Sequence, residues 1–214
     1  MRPRGRSASG FGRLHVLTDP EGPRPVLDVV DVALAAGVPT IQVRAKQGTD
    51  RSRFAEVLAV TERCRAAGAT CIVNDRVDFA LAAGADGVHL GDDDLTVATA
   101  RRLLGPGALI GATVRDRETA QAAVSDGASY LGVGPTFATA TKALAVQPLG
   151  VEAVADIARA VTVPTVAIAG VTVESVIALL ERGLTGVAVI GAVSRNDDPG
   201  AACTALLDAV EQAA

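Results

Sequence analysis

Eight short β-branched runs alternate with eight Ala-rich runs of helical period along this chain, and that alternation restricts the fold more than any single motif. The pattern predicts strands over Leu14–Thr18, Thr40–Arg44, Thr70–Val73, Gly87–Leu90, Leu109–Thr113, Tyr130–Val133, Thr165–Ile168 and Gly186–Ile190. Helical periodicity lies between and after them, over Val26–Ala36, Arg51–Ala67, Val77–Ala83, Val97–Leu104, Arg117–Ser125, Val151–Ala160, Val173–Glu181 and Pro199–Val210. Phrases such as Ala36-Gly37-Val38, Ala67-Gly68-Ala69 and Ala83-Gly84-Ala85 close the helical runs, as glycine does where a helix ends in a left-handed residue. Strand–helix alternation requires parallel strands joined by crossovers of one hand. Eight such units in 214 residues predict a single-domain α/β protein with the (β/α)8 TIM-barrel fold over residues 14–214. The runner-up is a doubly wound open sheet. It calls for a glycine-rich fingerprint after the first strand, where this chain has Thr18-Asp19-Pro20-Glu21-Gly22.

Composition agrees with a buried parallel sheet. Hydrophobic residues make up 49% and aromatics 2%, so the core must be built from Val, Leu, Ile and Ala. A net charge of -4 argues against nucleic acid as a partner, and so few aromatics leave no stacking platform for single strands. No apolar run is long enough for a membrane helix. Residues 1–13 carry four Arg with Gly and Ser, which reads as a disordered lead-in rather than a secretory signal. Three cysteines without metal spacing suit a reducing, cytoplasmic setting, and two histidines give little basis for zinc.

A barrel carries its chemistry at the C-terminal ends of its strands. In the run Thr40–Lys46, Gln42 and Arg44 share one strand face, and Lys46 follows at the strand's end. A solvated edge strand would explain that pattern, and so would an anionic ligand inside a barrel. Asn74-Asp75-Arg76 follows the third strand, and Gly91-Asp92-Asp93-Asp94 follows the fourth. Asp75 and Asp94 could act as turn or N-cap residues. Carboxylates on adjacent loops beside cations also suit Mg²⁺, which takes one or two carboxylates, water and phosphate oxygens. Asp92 and Asp93 read as solvated or capping. Gly170 and Gly191, after the seventh and eighth strands, either make tight turns or offer backbone N–H groups to a phosphate. Gly132 and Gly134 either open the barrel interior or mark a bend. His89, in an apolar context, reads as structural, and Cys64 and Cys71 as packing residues.

These residues, in order, are similar to the thiamine phosphate synthase family. The resemblance runs from Leu14-His15-Val16-Leu17-Thr18-Asp19 to Asp197-Asp198-Pro199. It includes Gln42-Val43-Arg44-Ala45-Lys46, Asn74-Asp75-Arg76-Val77-Asp78, Ala85-Asp86-Gly87-Val88-His89-Leu90-Gly91 with Asp94, and Gly186-Val187-Ala188-Val189. Tyr130-Leu131-Gly132-Val133-Gly134-Pro135 and Thr139-Ala140-Thr141-Lys142 belong to it as well. The resemblance implies that Gln42, Arg44, Lys46, Asn74 and Lys142 hold a pyrimidine methyl diphosphate, with Arg44, Lys46 and Lys142 catalytic. It implies Asp75 and Asp94 as Mg²⁺ ligands and Thr113 near the diphosphate, where serine is usual. Thr139 and Thr141 would line the side of a thiazole phosphate, whose phosphate would meet backbone at Gly170, Ile190 and Gly191. Ala169 and Gly191 stand where glycine and serine are common, and Thr113-Val114-Arg115-Asp116 replaces a Ser-x-His-like stretch. A tautomerase relative acting on the thiazole needs neither diphosphate nor metal, so the joint presence of Arg44, Lys46, Asp75, Asp94 and Lys142 argues against it. A non-catalytic barrel binding phosphate ligands is the remaining alternative. The sequence leaves the oligomeric state open, a homo-oligomer included.

Overall fold

The structure is a computed structural model, and it describes residues 12–139 and 147–213. Eight parallel strands close on themselves: β1 (Leu14–Leu17), β2 (Thr40–Val43), β3 (Thr70–Asn74), β4 (Gly87–Leu90), β5 (Leu109–Val114), β6 (Tyr130–Val133), β7 (Thr165–Ile168) and β8 (Gly186–Val189). Each pairs with its sequence neighbour, and β8 returns to β1 with Ala188 opposite His15. The barrel has no edge. The solvated-edge reading of Thr40–Lys46 is therefore wrong, as is the open doubly wound sheet.

The surrounding helices are α1 (Val26–Ala35), α2 (Asp50–Ala67), α3 (Val77–Ala83), α4 (Val97–Leu104), α5 (Arg117–Ser125), α6 (Gly150–Arg159), α7 (Val173–Glu181), α8 (Gly191–Ser194) and α9 (Pro199–Gln212). Among them α8, a single turn directly after β8, has no counterpart in the helical periodicity. Helix α2 ends at Gly68, whose φ of 67° supplies the left-handed cap that its Ala-Gly-Ala phrase predicts. No helix in the described residues is long and apolar enough to cross a membrane.

Strand side chains alternate between two cores. Leu14, Val16, Ile41, Val43, Val88, Leu131 and Val187 face outward and pack with the helices. Leu17, Tyr130, Val166 and Ala188 form a second cluster inside the barrel, bordered by Ile168 and Ile190. The interior is filled by side chains whose sizes alternate across the strands. Gly111 admits Tyr130, whose ring carbon Cζ would lie 2.2 Å from any Cβ placed there. Gly132 admits His89, with Cε1 2.9 Å from a Cβ at that site. Gly132 thus makes room for a ring rather than for a bend.

Arg13 belongs to the barrel rather than to a lead-in. Its guanidinium donates to the carbonyls of Thr185, Val210 and Ala213, which tie the start of β1 to α9 and the base of β8. Residues 1–11 of the predicted lead-in lie outside the described residues.

Candidate active site

The parity of β2 turns Gln42 into the barrel, where it is buried and donates from Nε2 to Asn74 Oδ1 at 2.9 Å. Arg44 continues that face just past the end of β2. Its backbone N–H is held by Thr18 Oγ1 at 2.7 Å. Among the described residues, nothing accepts a hydrogen bond from its guanidinium or pairs with it, so this half-buried cation is available to an anion. Lys46 Nζ lies 3.0 Å from Asp75 Oδ2, with side chains 46% and 27% exposed.

Asp75 takes a left-handed backbone, φ 65°, which costs a non-glycine residue roughly 1–2 kcal/mol. Its N–H donates to the His89 carbonyl at 2.8 Å. It caps no helix, because Arg76 precedes α3 without a side-chain cap bond. The capping readings of Asp92, Asp93 and Asp94 also fail. Helix α4 begins at Val97, and Thr96 accepts from Thr99 N–H as its cap. Asp94 turns back instead, its Oδ2 accepting from Gly91 N–H at 2.7 Å. Burial raises the Asp94 carboxyl above the ordinary range, and the Asp75 carboxylate beside it raises it further. An Asp94 carboxylate disfavoured by burial and by Asp75, and offset by the Gly91 N–H and by Lys46, makes with Asp75 a fitting seat for a divalent cation. No group of three His, Cys, Asp or Glu stands together among the described residues. A cation held by Asp75 and Asp94 would therefore complete its shell from water and ligand oxygens, which is how Mg²⁺ is commonly bound.

Beside this charged rim opens a cavity of about 490 Å³. Thr113, Thr139, Gly170, Ile190 and Gly191 line it, together with Asp92 and Arg115. Gly170 is required by its surroundings. Its φ is 67°, and a Cβ would fall 2.5 Å from the Ala138 carbonyl oxygen and 2.7 Å from Phe137 Cβ. The chain after β6 is zipped onto the end of β7 there, with Thr136 N–H on Ile168 O and Phe137 N–H on Ala169 O. Ala169 is itself left-handed at φ 73°.

His89 joins the two regions. Its carbonyl holds Asp75, while its ring lies 2.9 Å from Thr113 Oγ1 through Nε2 and 3.0 Å from Tyr130 Oη through Nδ1. Both partners are hydroxyls, so either neutral tautomer is satisfied. Burial lowers the His89 pKa to about 4, which keeps the ring uncharged near neutrality.

The structure thus brings Gln42, Arg44, Lys46, Asn74, Asp75 and Asp94 to one side of the C-terminal rim and Thr113, Thr139, Gly170, Ile190 and Gly191 to the other. Thr141 and Lys142 lie outside the described residues. Sequence reading passed over Thr18, which holds Arg44, and did not assign Arg115 to the cavity wall. Cys64 and Cys71 are buried, as packing residues should be.

Fold and rim define a (β/α)8-barrel enzyme with a charged half-site and a glycine-walled half-site at the strand ends. A family model described as thiamine monophosphate synthase matches residues 14–193. The thiamine-phosphate synthase of Salinispora tropica is 46% identical over 205 residues, 94% of this chain and 99% of that protein. That of Roseiflexus castenholzii is 44% identical over 206 residues, 95% of this chain and 90% of that protein. The solved thiamine phosphate pyrophosphorylase from Pyrococcus furiosus superposes with a TM-score of 0.87 at 35% identity, covering 94% of this chain and 96% of that one. The chain belongs to the thiamine monophosphate synthase family, whose members are transferases.

Proposed function

We propose that this protein condenses 4-amino-2-methyl-5-pyrimidinylmethyl diphosphate with 4-methyl-5-(2-phosphoethyl)thiazole to give thiamine phosphate and diphosphate, or with the carboxylated precursor of that thiazole, in which case carbon dioxide is released as well. The observation that carries this reading is the juxtaposition of two unlike half-sites on one rim. One gathers an available guanidinium, an ammonium and two carboxylates. The other is a cavity walled by Gly170, Ile190 and Gly191, of a size suited to a small aromatic phosphate.

In this reading Arg44 and Lys46 hold the diphosphate, joined by Lys142. Gln42 and Asn74, already bonded to each other, receive the pyrimidine half. Bound Mg²⁺ would be held by Asp75 and Asp94 and would supply charge neutralisation for the departing oxygens. The C–O bond to the diphosphate breaks first, its electron pair leaving with the diphosphate while the aminopyrimidine ring stabilises the cationic methylene. The thiazole nitrogen then donates its lone pair to that carbon and forms the C–N bond. With the uncarboxylated thiazole the synthase step transfers no proton, which accords with a His89 that burial keeps neutral rather than poised as a base. The residues contribute electrostatic stabilisation of the leaving group and alignment of the two rings.

Expression in a bacterial strain that lacks its own thiamine-phosphate synthase is predicted to restore growth without thiamine. Failure of soluble, expressed protein to do so would contradict the proposal.

A further inference from the structure

Two adjacent residues at the end of β1, Thr18 and Asp19, are buried, polar and outside both half-sites, yet each is bonded to the backbone or side chains behind one of them. Thr18 N–H donates to the Gln42 carbonyl at 3.0 Å, which carries the β1–β2 ladder one residue further. Its hydroxyl then accepts the Arg44 N–H at 2.7 Å, just where β2 has ended and no strand partner remains for that group. Asp19, with a side chain 3% exposed, turns the other way. Its Oδ2 accepts from Ser194 Oγ at 3.1 Å and from Arg195 Nε at 3.0 Å, and its Oδ1 from Glu21 N–H at 3.3 Å. Ser194 and Arg195 close the single turn of α8, which begins with Gly191 at the cavity wall. Arg24, from the same loop, adds donors to the carbonyls of Asn196 and Asp197 at 2.7 and 2.8 Å.

One turn of helix cannot hold its own position, because it has almost no internal hydrogen bonds. Its placement must come from tertiary contacts, and the charged ones are the buried Asp19 carboxylate on Ser194 and Arg195 and the more exposed Arg24 guanidinium on the carbonyls that follow. An arginine one residue beyond a strand has the same difficulty. We infer that Thr18 and Asp19 are a pair of positioning residues, Thr18 setting Arg44 for the diphosphate half-site and Asp19 setting the Ile190–Gly191 turn for the phosphate half-site. This rests on the function proposed above. It assigns the two substrates to separate supports that start from one dipeptide.

Opposite kinetic signatures follow. Thr18→Val keeps the shape and removes the acceptor of Arg44 N–H, so the KM for the pyrimidine diphosphate rises roughly tenfold while that for the thiazole phosphate stays within about twofold. Thr18→Ser, which keeps the hydroxyl, restores it. Asp19→Asn and Arg195→Gln do the reverse, raising the thiazole phosphate KM by a similar roughly tenfold factor. Arg195, 41% exposed, tests the same contact from the surface should Asp19→Asn fail to fold. A purely structural role would lower thermal stability and move both KM values together, and that result, or no change in either, overturns the inference. Backbone hydrogen exchange on the same variants reads the brace without turnover. Thr18→Val is expected to speed exchange at Arg44, and Asp19→Asn within residues 191–196, each sparing the other segment. If exchange crosses over in this way but wild-type protein forms no thiamine phosphate, the brace stands and the proposed function falls. Uniform exchange overturns the brace itself.

Discussion

His89 Nε2 lies 2.9 Å from Thr113 Oγ1, which places a cavity-wall hydroxyl under the control of a ring that burial holds neutral. The ring is fixed from behind by Tyr130, which itself stands edge-on to His15 with ring centroids 5.5 Å apart. A polar string thus runs through the barrel to the site, and Gly111 and Gly132 leave the space it occupies.

That string makes stability depend on pH. Burial lowers both His15 and His89 from 6.5 to about 4. Between those values the unfolded chain binds protons that the folded chain does not. The histidines' contribution is therefore complete above about pH 6.5 and is lost as pH falls through about 4, by at most on the order of 3 kcal/mol each. Urea midpoints are expected to drop clearly between pH 7 and pH 5. Equal midpoints, or histidine ring resonances titrating between pH 6 and 7, would contradict this.

Asp94→Ala is expected to slow turnover by roughly 10²-fold or more, the scale of a lost electrostatic stabiliser. Because the Asp94 carboxyl is raised above the ordinary range, its charged form is disfavoured in the fold, and that penalty sets in as pH rises through the carboxyl's titration and is constant above it. Asp94→Asn should then leave metal-free protein at pH 7 as stable as wild type or more so, while Mg²⁺ no longer stabilises it. Normal turnover at saturating Mg²⁺ would remove Asp94 from the metal site.

Ala169 and Gly170 should respond in opposite directions. Ala169→Gly relieves a left-handed alanine and is expected to stabilise the protein by about 1 kcal/mol, seen as a higher urea midpoint. Gly170→Ala drives a methyl into the Ala138 carbonyl and Phe137 and is expected to lower Tm and raise the thiazole phosphate KM. An unchanged Gly170→Ala enzyme would show that the loops after β6 and β7 are not closely packed.

Arg115 is the one cation among the described residues that line the cavity, and it donates to the Gln147 carbonyl at 3.2 Å. Arg115→Gln is expected to raise the KM for the thiazole phosphate about fivefold to tenfold, with little change for the unphosphorylated thiazole alcohol. Equal effects on both would mean that Arg115 supports the loop and does not read the anion.

Much of the barrel is legible in the chain because a strand buried on both faces and a helix buried on one leave different periods. Gly87–Leu90, Tyr130–Val133 and Thr165–Ile168 occur with their predicted limits for that reason. The face shared by Gln42 and Arg44 was readable from parity alone. Asp94 was ambiguous because its role depended on where α4 begins, and Thr96 settles that by capping. Thr18 and Asp19 stand in the first motif of the resemblance, but nothing in the sequence gives them a role. Their partners lie 26 and 175 residues away, and Thr18's is a backbone group that no motif records. The turn of α8 is too short to show a period, and the left-handed backbone of Asp75 and Ala169 is imposed by neighbours rather than by their own residue types.

The most direct test of the account is to mix purified protein with the pyrimidine methyl diphosphate, the thiazole phosphate and Mg²⁺, and to read thiamine phosphate as fluorescent thiochrome after oxidation. The account predicts product that needs both substrates and disappears on chelation of the metal. Folded protein that binds both substrates and forms no product, or that forms it equally well in the presence of chelator, would contradict it.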